Sequence, residues 1–215
     1  MMVLDLSHFI EPGMPVYPGT EPPVVQDATT IASEGFAEKR ISMFSHTGTH
    51  VDAPGHILNG APTLDRMAPD RFLGRGVVVD LPTGEPGRVV EEEDLTPWKP
   101  GIAQADFVLF RFDWSSRWGS PDYYSAYPIL SEKAAALLAG SALKGVGVDC
   151  ISVDTIDSTK FPIHTIFFRA GMIIVENLTE LAALSGKQFT FTCFPLKLRD
   201  ADGSPVRAAA LIDSL

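Results

Sequence analysis

His46-Thr47-Gly48-Thr49-His50-Val51-Asp52-Ala53-Pro54-Gly55-His56 gathers three of the chain's five histidines and one aspartate into a single short run. Imidazole nitrogen and carboxylate oxygen are the usual ligands of zinc, and they also suit manganese and iron. Five histidines scattered at random over 215 residues would rarely collect this way, so the run reads first as a metal site. His46 and His50 have the i, i+4 separation of the helix-borne ligands of a zincin, but Thr47 stands where that motif carries its glutamate. Gly48 is a poor helix interior residue and Pro54 follows soon after. A short turn leading into extended chain fits better. In extended chain, residues two apart share a face, which sets His50 beside Asp52. Ala53 precedes a proline and so favours extension as well. Gly55 permits a bend that brings His56 back to the rim, and the Thr47 or Thr49 hydroxyl could orient a ligand ring from behind. No Cys-x-x-Cys is present, which argues against a closed cysteine-type zinc site. Two His and an Asp as ligands leave coordination positions open for water and substrate. The remaining His56 is then free to move protons, which an imidazole with a pKa of about 6.5 does well at neutral pH.

Outward from this run, short β-branched or aromatic stretches predict strands at residues 3–6, 36–44, 76–81, 107–112, 146–149, 172–176 and 189–194. Ser131 is a fair N-cap for a helix over 132–138 that Gly140 stops. A second helix is expected at 178–184, and shorter ones at 66–72 and 90–95. The Pro/Gly-rich stretches 12–23 and 82–100 read as surface loops. The result is a mixed α/β chain with more strand than helix and no internal repeat. On this map the His/Asp run follows the strand that ends at Phe44, and Glu176 closes another. Taken alone, Glu176 reads equally as a ligand or as a carboxylate capping the next helix. His164, between apolar neighbours, reads alone as a packed residue. Asp149, Asp154 and Asp157 lack EF-hand spacing and its closing Glu, and turn chemistry explains them better. Phe44, Phe112, Trp114, Phe161, Phe167 and Phe168 could line an aromatic pocket, although most read as core.

Composition bounds the rest. A chain of 215 residues, 45% hydrophobic, suits one domain with a sizeable core. A net charge of −10 without any basic cluster argues against nucleic acid and against anionic membranes. No apolar run approaches transmembrane length, and Met1-Met2-Val3-Leu4-Asp5 lacks the basic and apolar regions of a signal peptide. The expectation is a soluble cytoplasmic protein with Cys150 and Cys193 as buried free thiols.

The run also resembles the His-x-Gly-Thr-His-x-Asp-x-Pro-x-His motif of the cyclase family of metal-dependent hydrolases, which takes in bacterial kynurenine formamidases (arylformamidases) and isatin hydrolases. The likeness extends over nearly the whole chain: Leu4-Asp5-Leu6-Ser7, Gly13-Met14-Pro15-Val16-Tyr17-Pro18-Gly19, Gly147-Val148-Asp149, Ser152-Val153-Asp154, His164, Glu176-Asn177-Leu178, Pro195-Leu196 and Gly203-Ser204-Pro205-Val206-Arg207-Ala208 occur in the family's order. The resemblance implies the swivelling β/β/α fold, a mixed sheet in one domain over residues 1–215. It implies that His46 and His50 bind a first divalent metal, zinc or manganese, with Asp52 binding it and bridging to a second. His164 would bind that second ion, Glu176 would bridge both, and His56 would donate and accept protons. The implied reaction is metal-assisted hydrolysis of a small amide such as N-formylkynurenine, by a homodimer or homotetramer whose neighbouring subunit closes the pocket. Ring opening of the isatin or lactone type with one metal is the alternative, and a metal-binding module without turnover is the non-enzyme one. Two positions depart from the family: Tyr17 stands where kynurenine formamidases carry a substrate-contacting Trp, and Ile163 replaces a small residue before the distal His. Tyr17 is thereby expected to stack on a substrate ring, and Ile163 to reshape the wall beside the metals.

Overall fold

The stretch Phe107-Val108-Leu109-Phe110 is buried on both sides, and its alternation distributes the packing. Val108 and Phe110 join Val79, Val146, Val148 and Ile174 in one apolar cluster. Phe107 and Leu109 join Val78, Ile173 and Val175 in another. Strands covered on both faces belong to the parallel part of a sheet. The strand Phe107–Arg111 accordingly runs parallel to Leu73–Asp80 and to Gly145–Val148, which runs parallel to Ile173–Glu176. The computed structural model describes residues 1–81 and 85–212, so residues 82–84 of the expected 82–100 loop lie outside the described residues.

Around this parallel centre the sheet continues antiparallel on both flanks. Its order is Met2–Asp5, Ala209–Ile212, Phe189–Thr192, Leu73–Asp80, Phe107–Arg111, Gly145–Val148, Ile173–Glu176, His50–Asp52 and Gly203–Pro205. The architecture is α/β with a mixed sheet, as expected. Helices Glu132–Ala139 and Pro162–Arg169 pack together over one face, and Ala134, Leu138, Phe167 and Phe168 complete the first cluster. Burying one such Phe contributes roughly 1.5–3 kcal/mol. Ser131 caps the first helix by accepting from the Ala134 N–H, and Gly140 ends it.

The helix Pro162–Arg169 was not expected from its aromatic sequence. Pro162 opens it, and the Asp154 carboxylate accepts the Ile163 and His164 N–H groups, each at 3.0 Å. Those donors have no partner inside a helix's first turn, so a carboxylate nine residues upstream supplies what no local cap does. Asp154 and Asp149 thus correct the turn reading. Asp149 ties down the distant Phe112 and Trp114 N–H groups rather than its own loop.

Other boundaries moved for local reasons. The expected helix at 66–72 splits into 3-10 turns Leu64–Arg66 and Pro69–Phe72, because Pro69 biases Ala68 to extension (ψ 144°). The helix expected at 178–184 contracts to a 3-10 turn, Leu181–Leu184. Of 90–95, Val89–Val90 pairs as a strand with Ile129–Leu130, and the 3-10 helix Glu93–Trp98 follows. The strand expected over 36–44 is Glu38–Ser42, paired with an unforeseen strand Val24–Thr29 in a separate exposed hairpin. Cys150 and Cys193 are buried and free.

Candidate metal centre

Strand His50–Asp52 is only three residues long and wholly buried. Its register sets His50 against Glu176 and Pro205, and Asp52 against Ile174 and Gly203. The two-residue period sends His50 and Asp52 to one side, while Val51 enters the second apolar cluster. Gly48, at φ +66°, turns the chain between His46 and His50 in a conformation that favours glycine. The Gly48 carbonyl accepts from His50 Nδ1 and from Asn177 Nδ2, both at 2.8 Å, and Asn177 Oδ1 accepts from the Tyr123 hydroxyl at 2.7 Å. His50 therefore carries its proton on Nδ1, and Nε2 lies 3.3 Å from Asp52 Oδ1 and 3.5 Å from Glu176 Oε2.

The other members converge from three further segments. His46 Nδ1 lies 2.6 Å from Asp52 Oδ1, and its Nε2 lies 2.9 Å from Asp202 Oδ2. A Cβ at Gly203 would sit 2.4 Å from the His46 ring, so only glycine leaves that ring its place. His164 projects from its helix with Nδ1 2.7 Å from Asp154 Oδ2, leaving Nε2 3.4 Å from Glu176 Oε1 and 3.9 Å from Asp52 Oδ2. Glu176 Oε1 also accepts the Val153 N–H. Asp52 is the pivot. Its Oδ1 faces His46 and His50, and its Oδ2 faces His164. That Oδ2 is buried with no hydrogen-bond partner among the described residues, and a buried carboxylate oxygen left so is costly unless a cation answers it.

Two donor sets follow, His46/His50/Asp52 and Asp52/His164/Glu176, each with its candidate ligand atoms within 4.8 Å of one another. A third set, His46/His56/Asp202, overlaps the first. The field of the site favours positive charge. Burial pulls the His46 and His164 rings down, but carboxylates outweigh it: Asp52 and Asp202 hold His46 up at about 9, and Asp154 and Glu176 hold His164 up at about 10. Conversely, burial would push Asp52 up, yet the His46 and His50 charges draw it well below the usual range. Imidazole and carboxylate donors, an orphaned carboxylate oxygen and this field all fit a divalent ion of the zinc or manganese kind.

His56 ends the turn Pro54–His56, its ring 4.0 Å from that of His46 and 6.2 Å from that of His164. Its Nδ1 lies 3.3 Å from Asp202 Oδ2, and burial holds its pKa below the ordinary value. All four of these imidazoles line one cavity of about 240 Å³, which Tyr17 and Phe161 also line. That volume lies somewhat below the roughly 300 Å³ at which ordinary ligand pockets begin.

The geometry also corrects several expectations. Ile163 does not shape this wall; it is buried in the helix-side core, since helical neighbours point about 100° apart. Neither threonine orients a ligand ring: Thr47 donates to the Phe44 carbonyl, and Thr49 donates to the Asn177 carbonyl. Phe161 lines the cavity, whereas Phe112, Trp114, Phe167 and Phe168 are core and Phe44 is exposed. Tyr17 reaches the cavity, but its hydroxyl is engaged by the Ile156 carbonyl at 3.0 Å. The fifth histidine, His8, stacks on Trp118 away from the cluster. The sequence assigns no site role to Asp154, Asn177 or Asp202, because their roles depend on pairing register and on a helix start.

Comparison with known proteins gives a consistent set of likenesses. The Cyclase family profile matches residues 4–155. The chain is 32% identical over 216 residues to a protein named kynurenine formamidase from Salinibacter ruber, covering 97% of this chain and 96% of that one. It is 30% identical over 207 residues to another of that name from Geobacillus thermodenitrificans, covering 96% and 95%. The structure of isatin hydrolase A from Ralstonia solanacearum superposes with a TM-score of 0.89 at 25% identity, covering 99% of this chain and 92% of that chain.

Proposed function

Since the chain belongs to the cyclase family, we propose that it is a metal-dependent amide hydrolase of the arylformamidase type, cleaving a small aryl formamide such as N-formylkynurenine to formate and the free amine. The observation that carries this reading is Asp52, buried with one oxygen toward His46 and His50 and the other toward His164. His46, His50 and Asp52 would hold one divalent ion, and His164 and Glu176, with Asp52 shared, a second. When bound, such an ion acidifies a coordinated water toward neutrality and draws electrons from a carbonyl oxygen.

The chain's own groups supply the rest. His56 accepts the proton of the attacking water and returns it to the leaving nitrogen, without which an amine leaves poorly. The Gly48 carbonyl, itself held by Asn177, fixes the His50 ring, and Asp154 fixes the His164 ring, each by its Nδ1 side; such outer partners set ligand orientation and basicity. The small cavity, walled by Tyr17 and Phe161, suits a single aromatic ring. A retained fourth imidazole at position 56 speaks against a metal buffer, which needs no proton carrier. The likeness to isatin hydrolase A favours one second reading, ring opening of a cyclic amide or lactone with a single manganese.

Residues 1–215 are read as one domain working on small molecules rather than on nucleic acid or membrane, and no helix among the described residues is long and apolar enough to cross a membrane. Two buried cysteines left unpaired are in keeping with a cytoplasmic setting. A homodimer, or a homotetramer built from it, is supported by the Val24–Thr29/Glu38–Ser42 hairpin. It exposes Val24, Phe36, Ile41 and Phe44, and a lone two-stranded hairpin is marginal in water. The deciding experiment is a screen of the zinc- and manganese-loaded protein against N-formylkynurenine, isatin and simple lactones, beside His56→Ala. Formate release by the wild type, with kcat lowered about 10²-fold or more in a variant that keeps its metal, is the expected result. Turnover of isatin or a lactone alone moves the protein to the second reading, and no turnover at all removes the hydrolase reading.

A further inference from the structure

Asp202 lies outside every element expected from sequence, yet its carboxylate touches both His46 and His56. Oδ2 stands 2.9 Å from His46 Nε2 and 3.3 Å from His56 Nδ1, while Oδ1 accepts from the Ser45 hydroxyl at 3.0 Å. The residue is not a loose surface acid. Its backbone carbonyl accepts the Ala53 N–H at 2.8 Å, and the next residue, Gly203, pairs with Asp52 in the sheet. The carboxylate is thus held in register with the metal-ligand strand, and the Ser45 contact turns the other oxygen toward the imidazoles.

We propose that Asp202 is a positioning residue for His56, fixing the neutral ring as the Nδ1–H tautomer so that Nε2 is the atom that takes and returns the reaction's proton. An ionised carboxylate can only accept, so the nitrogen facing it must be the one that carries hydrogen. A neutral imidazole has one such nitrogen, and the other is then the base. The division of labour matches that of a base held by an orienting carboxylate in nucleophilic hydrolases. The proton leaves the attacking water for His56 Nε2 and passes from there to the leaving nitrogen as the C–N bond breaks; Asp202 stays ionised throughout. The inference rests on the reading of His56 given above, and it assigns to Asp202 a task distinct from holding a metal.

The test compares the zinc-loaded wild type with Asp202→Asn and Asp202→Glu, by metal content, by kcat and KM on whichever amide or lactone the wild type hydrolyses, and by 15N NMR of the His56 ring, assigned with His56→Gln. The expected result has three parts. Asp202→Asn keeps its zinc and its KM within about threefold but loses about 10²-fold or more in kcat. His56 reads as Nδ1–H in the wild type and loses that preference in Asp202→Asn. Asp202→Glu recovers part of both. An unchanged kcat, a loss of zinc that accounts for the loss of rate, or an Nε2–H tautomer in the wild type each overturns the proposal. If the wild type hydrolyses none of the substrates, the hydrolase reading falls, while the tautomer still decides for or against Asp202.

Discussion

Glu176 and His50 are direct partners across one antiparallel strand pair, and His50 Nε2 lies 3.5 Å from Glu176 Oε2. The sheet therefore builds the centre by register. A one-residue slip of the three-residue strand would send His50 and Asp52 to the opposite face and Val51 toward the cavity. His50→Ala removes the imidazole that the Gly48 carbonyl orients, so on the proposed assignment it should lose metal and activity together. The activity loss should exceed the 10–100-fold typical of outer partners alone. Elemental analysis showing undiminished metal in that variant would refute the assignment.

The proposed second metal position carries a separate prediction. His164 and Glu176 meet Asp52 on its Oδ2 side, while His46 and His50 meet it on the other. His164→Ala should therefore lower the metal bound at saturation by one ion while leaving the first position filled. Titration followed by elemental analysis reads this directly. The same stoichiometry in wild type and variant, whether one or two, would show that His164 holds no ion.

How much of this centre was legible depends on how local each signal is. His46, His50, Asp52 and His56 were readable because glycine and proline chemistry inside one short run fixes the chain's direction. His164 and Glu176 carried no sign of their own; each looked like an ordinary packed or strand-end residue, and only family resemblance lifted them out. The roles of Asp154 and Asp202 escaped altogether. One acts by capping a helix that begins eight residues later at Pro162, and the other by a strand pairing that places it beside a histidine 156 positions away. The central strands were visible because burial on both faces leaves continuous apolar runs. The hairpin strand Val24–Thr29 was not, because it follows a Pro/Gly-rich stretch and its sequence carries no apolar alternation to betray it.

Asp149 sets a pH dependence of stability away from the metal centre. Its carboxyl is buried, which pushes its pKa from 3.8 up to about 7, against the opposing pull of the Phe112 and Trp114 N–H groups. A raised folded-state pKa means that the folded chain holds the proton more tightly than the unfolded one. The resulting stabilisation is complete below the unfolded value and is lost as pH rises through the folded one. Every tenfold difference in proton affinity between the two states is worth about 1.4 kcal/mol, so the effect amounts to a few kcal/mol. Thermal melts of wild type and Asp149→Asn should therefore diverge between pH 4 and pH 7, with the wild type losing ground as pH rises and the gap levelling off above. A gap that stays constant across that window would show that Asp149 is already ionised in the folded chain at its lower end.

Tyr17 yields the prediction about substrate. The residue lines the cavity together with the imidazoles, but its hydroxyl is committed to the Ile156 carbonyl. The polar handle that tyrosine offers over tryptophan is thus spent on the protein, and what reaches a substrate is the smaller aromatic face. Aromatic contacts are worth about 0.5–1.5 kcal/mol beyond their area, and indole presents more area than phenol. Tyr17→Trp should therefore raise kcat/KM on N-formylkynurenine several-fold, mostly through KM, provided the larger ring finds room where the Ile156 bond is given up. Tyr17→Phe separates the two contributions: it keeps the face and drops the bond, so its KM should hold while its melting temperature falls by a few degrees. If Tyr17→Phe instead raises KM about tenfold with its melting temperature unchanged, the hydroxyl binds substrate rather than Ile156, and the wall assigned to Tyr17 must be redrawn.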